Sequence, residues 1–282
     1  MSSQHFKEVE SGERFAFGKN WSRFLSVLDE DRIQRAEHSL REMFEVENLE
    51  GKSFLDIGSG SGLFSLAARR LGASVHSFDY DHQSVACTAE LKNRYFPSDP
   101  RWMIENASVL DKDYLAKLGT FDFVYAWGVL HHTGAMWQAL ENMVPLVAKG
   151  GQLYIAIYND QGGRSHRWRF IKRTYNNLPN LLKPLYTFFV MGPREIKFLA
   201  FACLKGKPWT YFDNIFNYGE RSTRGMNYWC DLVDWIGGYP FEVAKPEEIF
   251  TFYKARGFAL RQLRTCAGGI ACNEFVFKAP QA

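Results

Sequence analysis

Short apolar runs alternate with stretches of helical spacing over the first 160 residues. Ser53–Ile57, Ser74–Asp79, Trp102–Asn106, Phe121–Trp127 and Gln152–Tyr158 are rich in Phe, Val, Ile and Tyr and are bounded by Gly, Asp or Pro, which predicts strands. Between them, Leu63–Leu71, Gln83–Tyr95, Lys112–Leu118 and Trp137–Val147 predict helices. Such alternation closes through right-handed crossovers, so the expected class is α/β: a doubly wound, mostly parallel sheet with helices on both faces. Pro246–Arg256 predicts a further helix, with Pro at its first turn and Gly257 at its end. Phe258–Thr265 and Glu274–Lys278 then bring the strands to seven. Upstream, Asp31–Phe44 sets Ile33, Ala36, Leu40 and Phe44 at helical spacing, whereas the aromatic stretch Phe15–Trp21 predicts no element. The expected organisation is an N-terminal helical cap (1–48), a core (49–160), an insertion after the fifth strand (161–245), and a C-terminal helix and strands completing the core (246–282).

Composition narrows this little. Hydrophobic residues at 46% and charged residues at 23% exclude disorder, collagen and coiled coil. Aromatics at 16% supply a core with material left to line a pocket. The net charge of +3 identifies no polyanionic partner, but its distribution is uneven. Residues 161–207 carry ten basic side chains against one acid, Glu195, so the rest of the chain is net negative. That asymmetry marks a module with its own surface task. The five cysteines form no C-x-x-C pair and read as free thiols. No apolar run reaches the ~18–20 residues that cross a bilayer, and the polar start does not read as a signal peptide. The expected location is the cytoplasm, with peripheral membrane contact open.

The most informative stretch is FLDIGSGSGLFSLAARR, Phe54–Arg70. A strand ends in Asp56, the chain turns through Gly58, Ser59, Gly60, Ser61 and Gly62, and a helix begins. A dinucleotide fingerprint needs a third glycine where this chain has Leu63, and a P-loop needs Lys and Ser or Thr where Leu63 and Phe64 follow. Asp56 would repel a pyrophosphate but suits an ammonium or sulfonium group. The pattern favours a cation-bearing nucleoside over NAD. Asp79, at the tip of the next strand, is placed to accept ribose hydroxyls, and Tyr80 to pack on a base. The third strand leads into NASVLD, Asn106–Asp111, and the fourth into AWGVLHHTG, Ala126–Gly134. Trp127, His131 and His132 thus sit at the carboxyl edge of the sheet, where ligands of open α/β sheets bind.

With LDIGSGSG, Asp79, NASVLD, FDFVYAWGVLHH and AKGGQLYIAIY in this order, the chain resembles the class I S-adenosylmethionine-dependent methyltransferases over roughly residues 50–160. GVLHH is similar to the quinone-biosynthesis and small-molecule methylases, and more faintly to the wobble-uridine carboxymethyl transferases. Arg224–Phe250 resembles stretches of bacterial methyltransferases of no named substrate. The resemblance implies a Rossmann-like fold and S-adenosyl-L-methionine as cofactor. It places Gly58 and Gly60 against the methionine moiety, Asp79 on the ribose and the Ser108 region on adenine. Asp56, Ser59, Gly62, Tyr80, Val109, Trp127 and Trp21 complete the expected cofactor set, with Lys19 and Trp21 sealing it from above.

Methyl transfer to a hydroxyl needs a base, and histidine titrates near neutral pH. His132, His131 and, after the fifth strand, Tyr158 are the catalytic candidates. Adjacent residues diverge, so one histidine faces the cleft while the other serves structure. No nearby carboxylate completes a metal site with the pair. Arg164, Arg167, Trp229, Trp235, Tyr239 and Glu242 are candidate substrate contacts, each with a purely structural alternative. The basic insertion reads as a surface lying on anionic lipid, a lid for an anionic small molecule, an RNA-binding face, or a solvated cap. The expectation is O-methylation of a small or lipid-linked acceptor, with an anionic group on it as a further option. A tRNA wobble-uridine methyl or carboxymethyl transferase, with nucleic acid as the less favoured partner, and a non-catalytic cofactor-binding regulator are the alternatives.

Overall fold

The computed structural model describes residues 4–218, 228–269 and 271–281, with the backbone alone at Lys19, Trp229 and Cys230. Seven strands form one sheet: β1 (Ser53–Ile57), β2 (Ser74–Asp79), β3 (Trp102–Asn106), β4 (Phe121–Trp127), β5 (Val147–Tyr158), β6 (Ala259–Arg264) and β7 (Cys272–Lys278). Their order is β3-β2-β1-β4-β5-β7-β6. The first five are parallel, and β7 runs antiparallel to both β5 and β6. The strand order reverses between β1 and β4, and a crevice forms at such a point beyond the carboxyl ends.

The helices fill both faces. Three precede the sheet: α1 (Gln4–Glu10), α2 (Gly18–Leu25) and α3 (Glu30–Phe44). Within it run α4 (Leu63–Arg70), α5 (His82–Tyr95), α6 (Lys112–Leu115) and α7 (Met136–Met143). After β5 come α8 (Gly163–Asn177), α9 (Lys183–Leu204), α10 (Trp209–Phe216), α11 (Tyr228–Gly237) and α12 (Pro246–Lys254). Alternation along the strands separates two cores. Phe54, Phe123, Tyr125 and Tyr154 bury with α3 and α4 on one face. Leu55, Val124, Ile155 and Phe275 bury with α7 and α12 on the other. Burial of this kind stabilises by ~1.5–3 kcal/mol per large side chain, so the sheet is a rigid base for its loops. Tyr175, Met191, Leu232 and Ile236 join α8, α9 and α11 in a third, smaller core.

The largest departures from the sequence expectation lie in β5, α7 and the N-terminus. β5 begins at Val147 rather than Gln152, because its register against β4 jumps between Phe121 and Phe123 and the extra residues bulge through Gly150 and Gly151. α7 stops at Met143 because Pro145 lies in the 3-10 turn that follows. α1 and α2 were not expected: α1 is short and polar, and α2 opens on Gly18 within the aromatic stretch. Among the described residues no helix is long and apolar enough to cross a membrane.

Candidate cofactor and acceptor site

β1 delivers the chain into a turn where Gly58 and Gly60 have φ of 73° and 56°, a left-handed region that glycine enters without strain. Space forbids a side chain as well. A Cβ on Gly58 would stand 2.4 Å from Val129 Cγ1, and one on Gly60 3.1 Å from the Trp21 indole. The loop amides are used internally. Gly58 and Ser59 donate to Phe78 O (2.8 and 3.2 Å), Gly62 to Ser59 O (2.8 Å) and Gly60 to Asp79 Oδ2 (2.9 Å). Ser59 Oγ is itself bonded to Thr88 Oγ1 at 2.9 Å. A pyrophosphate site needs such amides pointing outward, so this loop does not suit one.

The two carboxylates play different parts. Asp79, at the tip of β2, accepts from Gly60 N and, through Oδ1, from Asp81 N at 2.8 Å. The Tyr80 amide also reaches this carboxylate, which has about four acceptor positions and so keeps some capacity for a ribose hydroxyl. Burial pushes its pKa up to about 6. Asp56 is instead 2% exposed and belongs to the interior. Ser65 Oγ donates to it, Ser77 Oγ lies 2.7 Å from Ser65 Oγ, and Trp102 Nε1 donates to Ser77 Oγ at 2.9 Å. Burial raises the Asp56 carboxyl to about 7. Its position as a contact for a ligand cation is corrected: it ties α4 to β1 and β2 under the loop.

The other cofactor candidates divide similarly. Trp21 meets Gly60, because Gly18 N donates to Asp81 Oδ2 (2.8 Å) and so seats α2 on the loop. Ser108 stays half-buried beyond β3, its Oγ accepting from Leu110 N at 3.1 Å. The Val109 side chain lies in the core, 6% exposed, leaving only its backbone near the edge. Trp127 donates across β5 to Glu274 Oε1 of β7 at 3.1 Å, so its indole N–H is engaged within the sheet. The Tyr80 ring is engaged by the N-terminal segment: Arg14 lies 5.0 Å above it, His5 meets its edge, and its hydroxyl donates to Glu8.

Beyond β4, a 3-10 turn at Leu130–His132 presents the two histidines with opposite chemistry. His132 Nδ1 lies 2.6 Å from Pro240 O, an acceptor only, so Nδ1 carries the proton and Nε2 is the basic nitrogen. Tyr158 N, a donor only, approaches His131 Nδ1 at 3.3 Å, so the lone pair of His131 is spent on the backbone. His131 is fully buried, and His132 is 8% exposed beside Phe17 and Tyr158. Tyr158 packs its half-buried ring on His131, with centroids 3.9 Å apart, and on Phe241 at 5.2 Å.

The substrate candidates scatter. Glu242 is corrected: both carboxylate oxygens accept from Met136 N (3.0 and 3.2 Å) at the start of α7, an anion at a helix N-terminus. Tyr239 is half-buried, and its carbonyl accepts from Phe15 N at 2.9 Å. Arg164 and Arg167 are exposed on the first turns of α8. The side chains of Trp229 and Lys19 lie outside the described residues.

Sequence reasoning missed Lys172. It is fully buried, and its ammonium lies 4.8 Å from the Trp235 ring and 4.9 Å from Phe241 while donating to Trp235 O. Burial pushes its pKa down to about 7. Its spacing from buried Ser165 and Tyr175, one helical face of α8, was the available signal. Also missed were Arg14, which donates to His132 O at 2.7 Å, and the bond from Asn20 to Asp234 joining α2 to α11.

A family model described as a methyltransferase domain matches residues 28–185, more than half of the chain. A tRNA U34 carboxymethyltransferase of Ectopseudomonas mendocina is 32% identical over 109 residues, 38% of this chain and 33% of that protein. A ubiquinone biosynthesis O-methyltransferase of Rhizobium rhizogenes is 33% identical over 113 residues, 39% of this chain and 43% of its own. The match thus spans less than half the length of these relatives. Among solved structures, an N-methyltransferase of Bradyrhizobium japonicum with S-adenosyl-L-homocysteine superposes with a TM-score of 0.51. It is 14% identical, covering 94% of this chain and 99% of that one. Magnesium protoporphyrin IX methyltransferase of Synechocystis, with S-adenosylmethionine bound, gives 0.51 at 10% identity, covering 88% and 79%. These two likenesses speak to the fold.

Proposed function

Given that the chain belongs to the class I S-adenosylmethionine-dependent methyltransferases, we propose that it methylates an oxygen of a small or lipid-linked acceptor, with His132 as general base. Bound S-adenosylmethionine supplies an electrophilic methyl group on a sulfonium. The residues present fit it. Gly58 and Gly60 let the loop take its left-handed turn with Val129 and Trp21 packed against it, Asp79 keeps acceptor capacity for the ribose, and the inward-turned amides avoid a phosphate site. The Ser108 turn stands at the same edge for the base.

The observation that carries the reading is the hydrogen bond from His132 Nδ1 to Pro240 O. It supports the role by leaving Nε2 as the ring's basic nitrogen, and an imidazolium formed there would keep its Nδ1–H on the same carbonyl. Phe17 and Tyr158 pack against the His132 ring, with centroids 4.9 and 5.5 Å away, and would shield a bound acceptor from water. His131 and Tyr158 position the turn.

The tRNA reading is favoured by the carboxymethyltransferase relatives and by the basic insertion. The two kinds of relative match over almost the same number of residues, so identity does not separate them. Incubation with methyl-tritiated S-adenosylmethionine separates methylation of bulk tRNA from methylation of an organic-solvent extract of bacterial cells, and the mass of the recovered tRNA nucleosides reports a carboxymethyl group. The expected label enters the extract and resists mild base, as a methyl ether does and a methyl ester does not. Label in tRNA alone would overturn the reading.

A further inference from the structure

We infer that the outer face of α9 and α10 docks onto an anionic lipid bilayer and lies along its interface. The observation is a large apolar surface left uncovered in a strongly basic module. On α9, Leu185, Phe188, Phe189 and Ile196 are 53, 67, 67 and 66% exposed, and on α10 Trp209 and Phe216 are 62 and 82% exposed. Leu185, Phe188, Phe189 and Ile196 fall at i, i+3, i+4 and i+11, one face of the helix, and Trp209 and Phe216 at i and i+7. The inward side of α9 is already satisfied, since Met191 packs into the small core with α8 and α11. A monomer in water rarely leaves so many large apolar side chains open together.

Charge selects the occupant. Lys197 is exposed next to Ile196, and Lys205 and Lys207 are exposed between α9 and α10. Residues 161–207 carry ten basic side chains and one acid. A two-fold contact with a second copy would set this positive surface against itself, whereas anionic headgroups neutralise it while acyl chains receive the aromatics. α9 cannot pass through the bilayer, because Pro193, Arg194, Glu195 and Lys197 interrupt its middle, so it lies in the plane. Two basic residues are not part of this face. Lys172 is buried, and Arg169 donates to Phe241 O at 3.0 Å. The reading of the basic insertion as a lipid-facing surface therefore does not extend to them. α8 then connects platform to cleft: it meets α9 through Tyr175 and Tyr186, and it meets Tyr158 and Phe241 through Lys172. An acceptor held in the membrane would be presented to His132 from this side, a consequence that rests on the lipid-linked reading above.

Co-sedimentation of the full chain with vesicles tests the docking apart from catalysis. Vesicles of phosphatidylcholine with phosphatidylglycerol should pellet the protein at low salt, with binding falling steeply as salt rises and absent on phosphatidylcholine alone. The pair Phe188→Ser and Phe189→Ser, and separately Lys197→Ser with Lys205→Ser and Lys207→Ser, should each weaken binding ~10-fold or more. S-adenosylhomocysteine affinity should be unchanged in both. No pelleting at low salt would overturn the inference, as would a dimer in sedimentation velocity that the Phe188 and Phe189 changes dissolve, or a shift of bulk tRNA without vesicle binding. Vesicle binding by a protein that labels nothing in a lipid extract would sustain the docking and defeat the lipid-linked acceptor instead.

Discussion

His131 and His132 are neighbours in sequence and opposites in chemistry, because one is met by a backbone donor and the other by a backbone acceptor. His132→Ala removes the nitrogen assigned as base, and turnover should fall ~10²–10⁴-fold with cofactor affinity nearly constant. The rising limb of the rate against pH should vanish with it. His131→Ala should act through stability, since its ring fills a closed site against Tyr158. A His132→Ala protein within a few-fold of wild-type turnover would shift the account to alignment alone, as for an amine acceptor. The sequence made this pair legible as candidates, but not their tautomers. The carbonyl that decides His132 belongs to Pro240, 108 residues away, and no local pattern reports it. Asp56 and Glu242 misled for the same reason. Their partners, Ser65 on the buried side of α4 and Met136 at the start of α7, turn both carboxylates into structural acceptors.

At the scale of elements, periodicity located the first four strands to the residue, because β1, β2 and β4 alternate between two cores and the edge strand β3 between one core and solvent. It failed at the N-terminus, where α2 is held by cross-chain contacts rather than by its own pattern. Gly18 N is bonded to Asp81, Trp21 lies on Gly60, and Asn20 is bonded to Asp234. α2 therefore covers the glycine loop. Hydrogen exchange checks this. Asn20→Ala should speed exchange of the α2 amides while leaving β1 and β4 protected, and S-adenosylhomocysteine should slow it again in both proteins. Uniform acceleration across the sheet would mean that Asn20 supports the whole fold and that α2 is no separate cover.

For the molecule as a whole, the fold gathers the glycine loop, Asp79, the Ser108 turn and the histidine turn at one sheet edge, with the basic helices beside it. Order along the chain revealed the edge but not which side chains face it. The central claim is that Asp79 and the glycine loop hold an adenosyl nucleoside and not a dinucleotide. Titration calorimetry with S-adenosylhomocysteine and NAD on wild type and Asp79→Ala tests it most directly. The account predicts that wild type binds the former and ignores NAD, and that Asp79→Ala loses ~1–3 kcal/mol of binding. Asp79 has a folded pKa raised by burial to about 6, and its ionised form is the better acceptor of ribose hydroxyls. Wild-type affinity should therefore fall as pH drops through about 6 and level off above it, while that of Asp79→Ala stays flat. Heat from NAD, or an Asp79→Ala protein that binds S-adenosylhomocysteine as tightly as wild type, would contradict the account.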